Sequence, residues 1–218
     1  MNARPNIFAR IQLWLKRFRH RCGYGIHSPY AFNLVTQVIY QRGEYYAYAS
    51  LAAAREGAHL CEKDDRLLLR LANDWQPRTC WLIGPETDVS AAYLRAGCEA
   101  CTLRQMRSLE EVAAAGEPAE MIVVDDDAMG PAAVAALVPK LLTGRHLLIA
   151  LRVGENTKMA AEWQKIFDPN SEMPSGTSEE ENLSPVTCLL SLNFDLYYMG
   201  LAYFGTGLSG QSYVINYI

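Results

Sequence analysis

Residues 81–97 read WLIGPETDVSAAYLRAG: an apolar run, a glycine and a helix-like stretch in succession. That is the layout of a nucleotide-binding turn. The glycine lets backbone approach a ligand, and the helix N-terminus draws anionic groups. Gly84 is the first glycine, and Pro85, Glu86 and Asp88 stand where such turns usually carry more. A second cluster, Asp125, Asp126 and Asp127, follows the apolar run MIVV. Three carboxylates at a strand end can hold a divalent ion. A solvated loop before a helix starting near Pro131 is the favoured reading, because Leu151 and Arg152 bring no further acid. Cys98 and Cys101 form a C-x-x-C, but zinc needs two more ligands and no second pair exists, so no metal site is expected. His27 precedes the helix-start pair Ser28-Pro29 and reads as structural rather than as a proton carrier. The run GTGLSG at 205–210 matches G-x-G-x-x-G, yet only a strand-like run follows it, so a hairpin loop is expected.

These residues need elements to hold them. Apolar runs at 79–84, 99–104, 120–125 and 146–151 read as buried strands. Between them, 88–97, the segment capped by Ser108 with Glu111, the segment from Gly130 with a bend or break near Pro139, and 156–167 read as helices. Upstream, 28–43 reads as a helix from Ser28 to Gly43 with Phe32, Val35 and Ile39 on its buried face. Another helix is expected over 45–56, and 61–77 is amphipathic with acids early and Pro77 as its stop. Strands alternating with helices predict a parallel sheet covered on both faces. Residues 168–185 break the rhythm with Pro, Ser, Gly and Glu and predict a mobile loop or lid. Three strand-like runs from 186 to 218 predict antiparallel pairing at the end. The organisation expected is an N-terminal helical extension over 1–60 and an α/β domain over 61–218.

Charge is one-sided. Residues 1–43 hold seven Lys or Arg and no acid, while the chain as a whole is −4, which leaves −11 for the rest. Such a body repels phosphate, so nucleic acid is not the expected partner. Ile7, Phe8, Ile11, Trp14, Leu15 and Phe18 form an apolar stripe among Arg10, Lys16, Arg17 and Arg21. A helix packed on its own domain is the favoured reading, and peripheral membrane or protein contact through residues 1–22 is the alternative. No apolar run approaches the roughly 18 residues of a membrane span, and no secretory signal is evident. Six scattered Cys read as reduced thiols, which points to the cytoplasm.

The stretch RHRCGYGIHSPYAFNLVTQVIY resembles the N-terminal signature of a methyltransferase-like family of Bacteroidetes-type bacteria. DDRLLLRLANDWQPRTCWLIG is similar to that family's lead-in helix and first strand, and NFDLYYMGLAYF resembles its late hairpin. The resemblance implies a Rossmann-like class I methyltransferase sheet, with five parallel-type strands and then an antiparallel pair. It also implies S-adenosylmethionine as cofactor and a small molecule as substrate. Carried over, it places the cofactor at Gly84, Glu86, Asp88, Arg104 and Asp125. The departures fall on those positions. Leu82 stands where the first strand's acid belongs and Asp88 stands for the second glycine. Arg104 stands for the acid that grips the ribose hydroxyls, and Leu151 and Arg152 stand for a later pair of acids. A lost charge-assisted hydrogen bond costs about 1.5–3 kcal/mol. The expectation is therefore a degraded cofactor site, and the two arginines favour an anionic ligand in its place. No general base stands out, since Lys158 falls within the last core helix and His146 opens a strand.

Overall fold

The computed structural model describes residues 7–55, 58, 60–84, 88–125, 129–142, 144–166, 190–208 and 210–218. Glu86, Asp126, Asp127 and the 168–185 loop lie outside them. Among the described residues seven strands form one sheet: β1 (Thr79–Ile83), β2 (Thr102–Met106), β3 (Met121–Val124), β4 (His146–Leu151), β5 (Leu190–Asp195), β6 (Met199–Phe204) and β7 (Gln211–Val214). Their order is β2-β1-β3-β4-β6-β5-β7. β1 to β4 are parallel, and β6 runs antiparallel between β4 and β5. Every residue of β3, β4 and β6 is buried, as expected of strands covered on both faces.

Among the described residues eight α-helices accompany the strands: α1 (Ile7–Lys16), α2 (Pro29–Asn33), α3 (Ala47–Ala53), α4 (Glu62–Trp75), α5 (Asp88–Gly97), α6 (Leu109–Ala114), α7 (Gly130–Leu141) and α8 (Thr157–Lys165). On one sheet face, Leu67, Leu68 and Leu71 of α4 and Leu94 of α5 pack on Leu82, Val123 and Ile149. On the other, Val112, Val134, Leu137 and Trp163 from α6, α7 and α8 pack on Ile83, Val124 and Leu148. The strands' twofold alternation sends odd and even residues to different cores. The chain steps from β1 to β2 in one direction and later from β3 to β4 in the other, with α5 and α6 on opposite faces. That reversal opens a crevice beyond the C-terminal ends of β1 and β3. The result is a Rossmann-like sheet of the class I methyltransferase type.

Several expectations are corrected. β5 and β7 point the same way as β1 to β4, so among the described residues β6 alone runs against the sheet and the antiparallel end is narrower than expected. The run at 205–210 is not a hairpin loop between neighbours, because β7 pairs in parallel with β5 and not with β6. The chain therefore steps over the end of β5. The second strand runs 102–106 rather than 99–104. α2 continues as a wider π-helical stretch, Leu34–Ile39, and stops before Gly43. Its buried face is Ala31, Leu34, Val35, Val38 and Ile39, and Phe32 is exposed. α7 runs through Pro139 without interruption.

The largest correction concerns α1, which has no buried residue. Its half-buried positions are Ala9, Arg10, Leu13 and Arg17. The i, i+4, i+8 set Ala9, Leu13 and Arg17 marks the face nearest the domain. The wider stripe of Ile7, Phe8, Ile11, Trp14, Leu15 and Phe18 is exposed. Polar contacts hold the end of the helix instead. Arg17 pairs with Asp195 at 2.6 Å and donates to the Asp195 and Ile215 carbonyls. Asn216 donates to the Trp14 and His20 carbonyls. Among the described residues no helix is long and apolar enough to cross a membrane.

Candidate functional site

β1 ends at the crevice with its backbone fixed on both sides. The Gly84 amide donates to Met106 at 3.0 Å, and the Asp125 amide donates to Ile83 at 2.7 Å. Gly84 and Asp125 thus stand at adjacent strand ends, as the sequence placed them. Asp88 opens α5 and is exposed there, where an acid complements the helix dipole. Its carboxylate accepts from Gln105 at 3.2 Å. Glu86 lies outside the described residues.

Arg104 does not stand where the sequence reading put it. It is an exposed residue in mid-strand, paired with Trp81, two positions before the strand ends. The strand-terminal position belongs to Met106, fully buried opposite Ile83. The shift supplies no carboxylate, because 102–107 read T-L-R-Q-M-R. Nor do Arg104 and Arg152 share a cleft. Their strands are three intervals apart, about 14 Å at the usual strand spacing.

Arg152 is already engaged. Its Nη2 and Nε lie 2.9 and 3.1 Å from Asp125 Oδ1, and the Asp125 side chain is fully buried. Backbone geometry aims it there. Arg152 has φ of 57°, in the left-handed region that costs a non-glycine residue roughly 1 kcal/mol or more. The turn after it is clamped to the β5–β6 connection, with Gly154 donating to Tyr197 at 2.7 Å and Val153 to Tyr198 at 3.2 Å. A Cβ at Gly154 would meet the Tyr197 carbonyl at 2.7 Å, so only glycine lets the two turns approach.

A second buried network lies where α4 meets the start of α5. Asp65 of α4 is fully buried. It accepts hydrogen bonds from Arg55 and, at 2.9 Å, from Ser90 in the first turn of α5. Burial pushes the Asp65 carboxyl up, while the Arg55 and Ser90 hydrogen bonds pull it down. Arg55 also donates to the Leu60 carbonyl at 2.6 Å. In the sequence Asp65 reads as one of the early acids of the 61–77 segment. Its phase was the missed signal, since it shares a face with Leu68, Leu69 and Ala72 at i+3, i+4 and i+7. Arg55 and Ser90 gave no comparable sign.

Beside the crevice, the π-helical stretch, the start of α4 and the C-terminal segment enclose a groove of about 470 Å³. Arg42, Lys63, Arg66 and Arg70 line it, with Tyr40, Tyr217 and the carboxylate of Glu62, and Glu44 reaches Arg66 at 3.7 Å. Arg70 is buried and uses four of its five N–H groups, donating to the Val38 and Ile39 carbonyls and to the Tyr48 and Tyr217 hydroxyls. Lys63 sits 3.8 Å over the Tyr217 ring. Arg66 pairs with Glu62 at 2.6 Å. Arg42 is exposed.

The other candidates are structural or peripheral. His146 is buried with its ring nitrogen 2.9 Å from the Ala119 carbonyl. His27 and Lys158 are exposed. Cys98 and Cys101 are free thiols, and no group of three or more metal-ligating side chains occurs among the described residues.

No family model matches the chain, and no curated protein matches it in sequence. Solved structures of similar fold include methyltransferases. The SAH-bound methyltransferase PaMTH1 of Podospora anserina is 11% identical, covers 93% of this chain and 98% of its own, and superposes with a TM-score of 0.49. Cofactor-bound Rv0187 from MTB is 15% identical over 80% of this chain and 94% of its own, at 0.46. The O-methyltransferase from Bacillus cereus in complex with SAH is 16% identical over 61% and 74%, at 0.39. What the chain shares with them is the fold class.

Proposed function

We propose that this chain is a methyltransferase-fold protein that does not use S-adenosylmethionine and instead binds a small anionic molecule. The Arg152–Asp125 ion pair carries the reading. The acid at the end of β3 that a cofactor would use is held by a cation of the chain itself. β2 has no carboxylate for ribose hydroxyls, only the exposed Arg104, a Gln105 committed to Asp88 and the buried Met106. Leu82 is fully buried in the core and offers no acceptor. The residues present do not fit the cofactor, so no methyl transfer is derived through it. The groove of Arg42, Lys63, Arg66 and Arg70 supports an anion as the ligand. Four cations line it, with Glu62 and, at 3.7 Å from Arg66, Glu44 as the carboxylates beside them, so the lining is net positive at the N-terminal end of a 14-residue helix.

Calorimetric titration tests both halves. S-adenosylmethionine and S-adenosylhomocysteine should give no saturable binding, and one-site binding in the low micromolar range would overturn the loss of the cofactor. Small organic phosphates and dicarboxylates should bind, and Arg42→Ala should weaken that binding roughly tenfold, the loss of one charge-assisted contact. Anion binding unchanged by Arg42→Ala, or none at all, would overturn the second half.

A further inference from the structure

The apolar stripe of α1 is exposed among the described residues, and it does not stand alone. The chain continues into a 3-10 turn, Phe18–His20, and then into residues 21–25. There Phe18, Arg19, Arg21, Tyr24 and Phe32 line an open groove of about 850 Å³. The Arg21 guanidinium lies 3.8 Å over the Phe18 ring, and Trp14 packs edge-on against Phe18 at 5.1 Å. Tyr24, Tyr30 and Phe32 are exposed beside them. Apolar side chains thus point away from the body, while cations flank them and aromatic rings border them. From Ile7 to Gly43 no acid interrupts this.

We propose that α1 and the aromatic turn after it form an arm that lies on an anionic lipid bilayer. The apolar face enters the interface, and Lys16, Arg19 and Arg21 sit at the phosphate groups. Charge complementarity selects this occupant. A short helix with one apolar face and one-signed flanking charge binds an anionic surface by adding acyl-chain burial to attraction for headgroups. Trp and Tyr rings favour the same boundary. The rest of the chain, at −11, is repelled by such a surface, which leaves the arm as the part that touches it. Two copies meeting through this face would bring their cations together with no acid between them.

The test uses the full chain and extruded vesicles of phosphatidylcholine, alone or mixed equally with phosphatidylglycerol. Trp75, Trp81 and Trp163 are buried and Trp14 is 38% exposed. Trp14 therefore dominates any blue shift of emission on binding. Binding is expected to the mixed vesicles only, to weaken with added salt, and to fall about a hundredfold in Ile11→Glu/Leu15→Glu. Both residues are exposed, so the variant should melt as the parent does. Equal binding to neutral vesicles, no binding to either, or binding unchanged in the variant would overturn the proposal. So would concentration-dependent self-association that the same substitutions abolish in a chain that ignores vesicles. The anion titration above reads a different groove and is unaffected by either result.

Discussion

At the scale of single residues, the crevice is governed by which charges neutralise which. Asp125 has a fully buried side chain and takes both contacts of Arg152 on one oxygen. Breaking a buried ion pair by removing one partner costs about 3–5 kcal/mol, whereas replacing both partners with neutral groups is often tolerated. Arg152→Ala should therefore lower stability in urea by about 3 kcal/mol, and Arg152→Leu with Asp125→Asn should recover most of it. Equal loss in the single and double variants would show that packing of the Arg152 stem carries the effect, not the pair. The sequence announced Gly84 and Asp125 because both sit at a visible edge, where an apolar run stops. It could not announce the pair, because 27 residues separate the partners and no periodicity links them. Arg104 was misplaced for a related reason. Ala100 and Cys101 continue the apolar pattern ahead of β2, so the run looked complete two residues too early.

At the scale of elements, strand and helix rhythm was legible and pairing was not. β1, β3 and β4 are nearly continuous apolar runs bounded by turns, which is the pattern a doubly covered strand produces. That β7 lies beyond β5 rather than beside β6 depends on which edge is open, and no residue of β7 encodes it. The helices attach through close approaches that small residues permit. Gly200 of β6 faces the Trp163 indole of α8, and a Cβ there would lie 2.3 Å from the ring. Strand and ring are both buried in the core, so neither can shift cheaply. Gly200→Ala should destabilise the fold by about 1–3 kcal/mol by overpacking. Adding Trp163→Leu should relieve part of that loss. A Gly200→Ala protein with an unchanged urea midpoint would mean that α8 rides loosely on the sheet. The apolar stripe of α1 shows the limit of periodicity from the other side. The stripe was plain in the sequence, but its direction was set by Arg17, which binds backbone carbonyls and leaves no pattern to read.

At the scale of the whole molecule, two buried phenols set an alkaline limit. Burial pushes the hydroxyls of Tyr203 and Tyr217 above their usual value, Tyr203 in the core and Tyr217 under the opposing pull of Arg70. A group whose folded pKa lies above its unfolded one contributes stability that is complete below the unfolded value of about 10. That contribution is lost as pH rises toward the folded value. Above pH 10 the unfolded chain has released these protons and the folded chain has not. Stability should fall by roughly 1.4 kcal/mol per pH unit for each phenol. Tyrosinate absorbance followed together with circular dichroism should show the last phenols ionising as the fold is lost. Tyr203→Phe/Tyr217→Phe should move that transition to higher pH, and an identical transition in the variant would refute the assignment. The sequence carries the α/β class in its alternation of strands and helices, and the charge asymmetry in its placement of Lys and Arg. It did not reveal which tyrosines are sealed.

The hydrogen bonds that fix the arm join the beginning of the chain to its far end. Trp14, Arg17 and His20 reach Asp195, Ile215 and Asn216 across 178 to 202 residues of sequence. During synthesis the arm therefore emerges long before its anchors exist. At about 5–20 residues per second the interval is roughly ten to forty seconds. For that time α1 is a tethered amphipathic segment on a ribosome, with no domain to hold it. Whatever surface suits the arm can be met first, and the domain then docks beside a helix that is already in place.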